Sequence, residues 1–208
     1  MHSKLLIGTV LLSLGLAGAG ANTIVAGYDF QDNAFADSVI SSSGNYTLVG
    51  AGSLSAAVTG SGLTKYAFNS PILSGANIQL GFTDNYLVNG TGYDLALFEF
   101  GTPSSFAVTI GGKTLNYLSA STGFTSVIGG TTYAINVAKI NLDDFGITAG
   151  SQLSSVLIGM GIGSSVPSLS VVGALNSAPA GRAVPDAGST VSMLGLGFLA
   201  FGLLKKKP

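Results

Sequence analysis

SFAVTIGG, Ser105 to Gly112, decides the fold class. Phe106, Val108 and Ile110 recur at every second position, so on an extended chain they share one face, and Gly111-Gly112 then supplies a turn. The same spacing appears on both sides of it. NIQLGFT aligns Ile78, Leu80 and Phe82, TYAINVAKI aligns Tyr133, Ile135 and Val137, and SSVLIGMGIG aligns Val156, Ile158, Met160 and Ile162. Turn signals at Ser43-Gly44, Asn89-Gly90 and Gly129-Gly130 separate such runs, and only Ile140 to Ile147, INLDDFGI, offers a helical turn. About ten strands without crossover helices predict an all-β protein, an antiparallel β-sandwich of jelly-roll-like form. No fixed repeat period points to a solenoid.

Composition agrees with a packed domain. Of the 208 residues, 47% are hydrophobic and only 8% charged, against roughly 25% charged in an average soluble protein. The surface must therefore be made of Ser, Thr, Asn and the 31 glycines. Between Gly27 and Ser177 the bases Lys65, Lys113 and Lys139 face a larger set of acids, so the body is acidic and lacks the basic footprint of nucleic-acid binding. Cysteine is absent and the one histidine is His2, which removes Ser-His-Asp, Cys-His and histidine-ligated zinc chemistry from the body. A carboxylate pair survives as an enzymatic option, Glu99 with Asp94 or Asp84. Asp94 and Glu99 are five apart and so point to opposite faces of one strand; the expectation is that the protein is not an enzyme.

Both ends read as addresses. Met1 to Gly27 carries Lys4, an apolar run from Leu5 to Leu16 and the small residues Ala19-Gly20-Ala21, the anatomy of a signal peptide cut by signal peptidase. The run is too short for a span, which needs about 20 residues. At the other end Val191 to Leu204 would cover as a helix about 21 Å of a roughly 30 Å bilayer core. With help from residues 187–190 it forms a transmembrane helix, and Lys205, Lys206 and Lys207 orient it with the positive end in the cytoplasm. Pro185 keeps the stretch ahead of it extended, a form that a protease can grip.

The end VPDAGST, Val184 to Thr190, followed by an apolar helix and a basic cluster, resembles the PEP-CTERM class of bacterial sorting signals, in its VPDSG-CTERM variant. Val184, Pro185, Asp186 and Gly188 carry the likeness, and Ala187 stands where the variant's name has Ser. The resemblance implies an exosortase, an integral-membrane cysteine protease, as processing partner. It implies an inner-membrane intermediate and then the outer surface or extracellular matrix of a Gram-negative-type bacterium. Leu80 to Gly101, with Ile140 to Ile158 and Pro167 to Ser177, is similar to segments of bacterial surface proteins that carry such signals. The expected order is a signal peptide over 1–21, the sandwich domain over 22–177, a linker over 178–183 and the sorting signal over 184–208.

Two binding readings accompany this structural or interaction role. Asp84, Asn85, Asn89 and Asp94 crowd the Gly-rich loop Thr83 to Asp94, and calcium takes six to eight oxygens, so a Ca²⁺ site can be drawn there. Turn chemistry explains the same residues, because Asp and Asn tolerate left-handed backbone. A second acidic group, Asp29, Asp32, Asn33 and Asp37, reads as an edge strand protected by charge. A carbohydrate-binding module, calcium-dependent in one form, is the alternative function; extracellular polysaccharide would then stack on Tyr86 and Tyr93, with Tyr46, Tyr117 and Tyr133 as weaker candidates.

Overall fold

The computed structural model describes residues 22–69, 75–161 and 166–180. The signal peptide, the sorting motif at Val184, Pro185, Asp186 and Gly188, the transmembrane helix, the lysines 205–207 and Ile162 lie outside these residues. The described residues form antiparallel sheets, with a five-residue helix at Leu54–Val58 and one 3₁₀ turn at Leu142–Phe145. Among them no helix is long and apolar enough to cross a membrane.

Two sheets make the body. The first contains β3 (Ser38–Ser43), β6 (Asn77–Gly81), β9 (Ser105–Ile110), β10 (Lys113–Leu118) and β14 (Ser155–Gly159), in the order β10-β9-β14-β6-β3. The second contains β4 (Tyr46–Val49), β5 (Tyr66–Asn69), β8 (Leu95–Phe100), β11 (Ala120–Ile128), β12 (Thr131–Ile140) and β15 (Ser168–Ala174), in the order β11-β12-β8-β15-β5-β4. Ile78, Leu80, Phe106, Val108, Val156 and Ile158 of the first sheet join Leu95, Leu97, Ile140 and Val172 of the second in one buried cluster. The alternation predicted for Asn77–Thr83, Ser105–Gly112 and the described part of Ser154–Gly163 is therefore the pattern that buries one face of the first sheet.

The second sheet is covered on its other face as well. Tyr133, Ile135 and Val137 point into a separate cluster with Ala96, Phe98 and Phe100, away from the first sheet. A hairpin of β1 (Thr23–Val25) and β2 (Tyr28–Phe30) closes that cluster with Val25 and Phe30. Its two-residue turn takes Ala26 at φ 45° and Gly27 at φ 85°, the left-handed pair that matches strand twist. The Phe30 ring lies 4.9 Å from that of Phe35 and 6.1 Å from that of Phe98.

A small third sheet, β13-β7-β16, joins β13 (Gln152–Leu153), β7 (Asn85–Val88) and β16 (Ser177–Pro179). Pairing of Ala178 and Pro179 with Tyr86 and Asn85 carries strand structure into the first residues of the expected linker. The helix at Leu54–Val58 is a second helical element beside the turn expected within Ile140 to Ile147. Ser53 caps it by accepting from Ala56 N at 3.1 Å, and Ala57 and Val58 are its buried side.

Gly173 on β15 fits only because it has no side chain: a Cβ there would lie 2.5 Å from Cε1 of Phe30. Gly173→Ala is expected to destabilise by about 1–3 kcal/mol through forced displacement of that ring, read as a lower urea midpoint at unchanged m-value.

Candidate functional site

Strand β8 carries a buried carboxylate at each end, and both are committed to backbone. Asp94 precedes the strand with its side chain out of solvent. Its Oδ1 accepts from Gly90 N at 2.7 Å and from Asn176 Nδ2 at 2.8 Å, and its Oδ2 accepts from Leu142 N at 2.8 Å. One carboxylate thus joins the loop after β7, the 3₁₀ turn and the end of β15. Gly90 belongs to the same knot: a Cβ on it would meet Asn176 Cγ at 2.5 Å. Asn89 works beside it, donating from Nδ2 to Asp143 Oδ1 at 2.8 Å and to Ile147 O at 2.6 Å.

The four residues of the calcium reading are consequently divided among neighbourhoods. Asp94 and Asn89 hold the loop together, whereas Asp84 lies beside Asp37 and shares a separate cavity with Asn85. Among the described residues no three His, Asp or Glu side chains converge as a metal group. The turn-chemistry account also needs revision. Neither Asn89 nor Asp94 has positive φ; among the non-glycine residues described, only Ala26 and Asn33 do.

Glu99, at the other end of β8, is also buried. Oε1 accepts from Ser104 N at 2.7 Å and from the Ser119 hydroxyl, and Oε2 from Ser168 N at 3.4 Å. Burial pushes its carboxyl above the ordinary carboxylate range, against the pull of these hydrogen bonds. Asp94 and Glu99 each have their own partners at opposite ends of the strand.

Ser104 and Ser168 are two walls of a groove of about 560 Å³. Tyr66, Phe68, Phe100 and Tyr133 supply its aromatic lining. The Tyr66 ring sits 5.4 Å from Phe100 and 5.9 Å, edge-on, from Tyr133. Burial, then the bond to Tyr133, pushes the Tyr66 hydroxyl up to about 12. Phe68 and Tyr133 remain half-buried, so both polar and apolar surface is open to a ligand.

The other tyrosines are placed differently. Tyr93 is exposed with Lys139 Nζ 4.4 Å from its ring centre, and Tyr86 is half-buried. Tyr46 donates to Ser43 O at 2.7 Å or Asn77 O at 2.8 Å. Tyr117 donates to Asp144 Oδ2 at 2.9 Å and stacks on Phe145. Of the candidates read from sequence only Tyr133 enters the aromatic groove, and Tyr66, Phe68 and Phe100 went unnoticed. Tyr66 and Phe68 share β5, Phe100 is on β8 and Tyr133 on β12, and no local spacing announces that these strands meet.

Residues 183–207 match the model of the VPDSG-CTERM motif, a sorting signal of PEP-CTERM type. No curated protein and no solved structure matches the chain. The motif marks an exported protein that an exosortase processes at the membrane on the way to the surface.

Asp94→Ala should cost about 3 kcal/mol or more, since it strands buried donors from three segments, measured by urea unfolding. For Glu99 the sign follows from its raised value: the folded state holds the proton more tightly, so stability is full at acid pH and falls as pH rises above 4.5, the ordinary value, through the folded one. Glu99→Gln, a neutral side chain of the same shape, is expected to flatten that part of a stability-against-pH profile.

Proposed function

We propose that this chain is a non-enzymatic exported protein that an exosortase releases from the membrane to the outer surface or extracellular matrix of a Gram-negative-type bacterium. There it serves as a structural or interaction component. The observation that carries this reading is the VPDSG-CTERM motif at residues 183–207, behind a body of antiparallel sheet. Repeated passage of the chain between the two main sheets, as from β5 to β6 and from β8 to β9, supports a jelly-roll-like sandwich. A body free of His and Cys from residue 22 onward leaves few catalytic options.

Signal peptidase removes residues 1–21, and residues 191–204 hold the body in the bilayer with Lys205, Lys206 and Lys207 on the cytoplasmic side. Intact mass of the protein from its native cells tests the sequence of events. The expected product lacks both ends; a mass that retains residues 191–207 contradicts release. Asp186→Ala, within the motif, is expected to leave the tail attached and the protein in the membrane fraction.

The aromatic groove favours a second reading, binding of an extracellular polysaccharide. Pyranose rings offer apolar faces for Phe68 and Tyr133 and hydroxyls for Ser104, within a volume suited to a small ligand. On this reading Tyr133→Ala weakens binding to a glycan identified in an array by about tenfold or more, roughly 1.4 kcal/mol, while Tyr86→Ala and Tyr93→Ala leave it unchanged. Unaltered affinity in Tyr133→Ala counts against the groove.

A further inference from the structure

The two acidic groups separated in the sequence meet at one seam. Asp37 Oδ2 accepts from Thr83 N at 2.7 Å, from Thr83 Oγ1 at 2.8 Å and from Asp84 N at 3.3 Å, and Asp37 and Asp84 line one cavity. Asp32, Asn33 and Asp84 line two adjoining cavities, one of about 280 Å³ shared with Asp37 and one of about 530 Å³ shared with Asn85. Every side chain of the larger cavity except Pro179 carries an oxygen, and no lysine, arginine or aromatic ring lines it.

Inside this seam, polar atoms are left without partners. Asn85 is 3% exposed and neither its Oδ1 nor its Nδ2 has a hydrogen bond. Asp37 is half-buried, and its Oδ1 is out of solvent and unpartnered. Buried groups of this kind are rare in a native protein unless a water, an ion or a ligand satisfies them. A positive charge at the seam would relieve both the repulsion between Asp37 and Asp84 and the missing contacts.

We propose that the seam is a calcium site, with Asp37, Asp84 and the Asn85 side-chain oxygen as ligands. Hard oxygen donors suit calcium, which accepts irregular shells of six to eight oxygens, whereas magnesium requires compact octahedral geometry. The absence of an aromatic platform separates this cavity from a sugar site. The ion would fasten the segment after β2 to the start of β7. Two carboxylates on surface loops predict the weak affinity of extracellular modules, about 10⁻⁴ to 10⁻³ M. This inference is independent of sorting and of the aromatic groove.

The test uses the full chain in mild detergent, with calcium chloride at roughly ten times the upper end of that range, against EGTA. Calcium is expected to raise the unfolding midpoint by several degrees, because a ligand that binds only the folded state stabilises it, and magnesium at the same concentration is expected to do less. Asp84→Asn, at an exposed residue, should raise the midpoint in EGTA by removing repulsion and should abolish the calcium increment. No increment in the parent protein, an equal one with magnesium, or an undiminished one in Asp84→Asn would each overturn the site. Water would then be what satisfies Asn85.

Discussion

Burial of β8 on both faces is the constraint from which the rest of the structure follows. Leu95 and Leu97 belong to the core between the two large sheets, while Ala96, Phe98 and Phe100 belong to the core under the first hairpin. A strand in this position has no solvent face, so its sequence cannot alternate and both covering layers are needed to bury it. The neighbour β15 is likewise buried throughout, and the contact of Phe30 with Gly173 shows how closely the hairpin is seated against it. The hairpin is thus a wall of the second core.

The polar chemistry at the ends of β8 serves the same constraint. A strand that leaves the interior at both ends must turn within poorly solvated surroundings, where backbone N–H groups need acceptors. Asp94 meets that need for Gly90 and Leu142, and Glu99 for Ser104 and Ser168. Both acids are accounted for by folding. Two surfaces among the described residues are open to partners, the aromatic groove beyond Glu99 and the oxygen-lined seam at Asp84, and Glu99 reaches the first through the two serines it positions.

Legibility in the sequence divides along the same line. The strands of the first sheet could be read directly, because Ile78, Leu80 and Phe82, or Phe106, Val108 and Ile110, alternate with residues that face out. Tyr133, Ile135 and Val137 were legible as a face, but nothing local said that the face belongs to a second core. LALFEF at Leu95–Phe100 has no period to detect, and a continuous apolar run can be a buried strand or a helix. The sorting motif was visible because it is a contiguous chemical pattern. The pairing of Asp37 with Asp84 was not: each looked like a member of its own loop, and only strand register brings them together.

Native-state hydrogen exchange of the full chain measures the central claim most directly. If β8 is the shared wall of two cores, the amides of Leu95 to Phe100 exchange only through global unfolding, with the same free energy as denaturant unfolding, while those of the β1–β2 hairpin open at lower cost. Exchange of the β8 amides at the rate of the exposed loops, with the hairpin still protected, would contradict it.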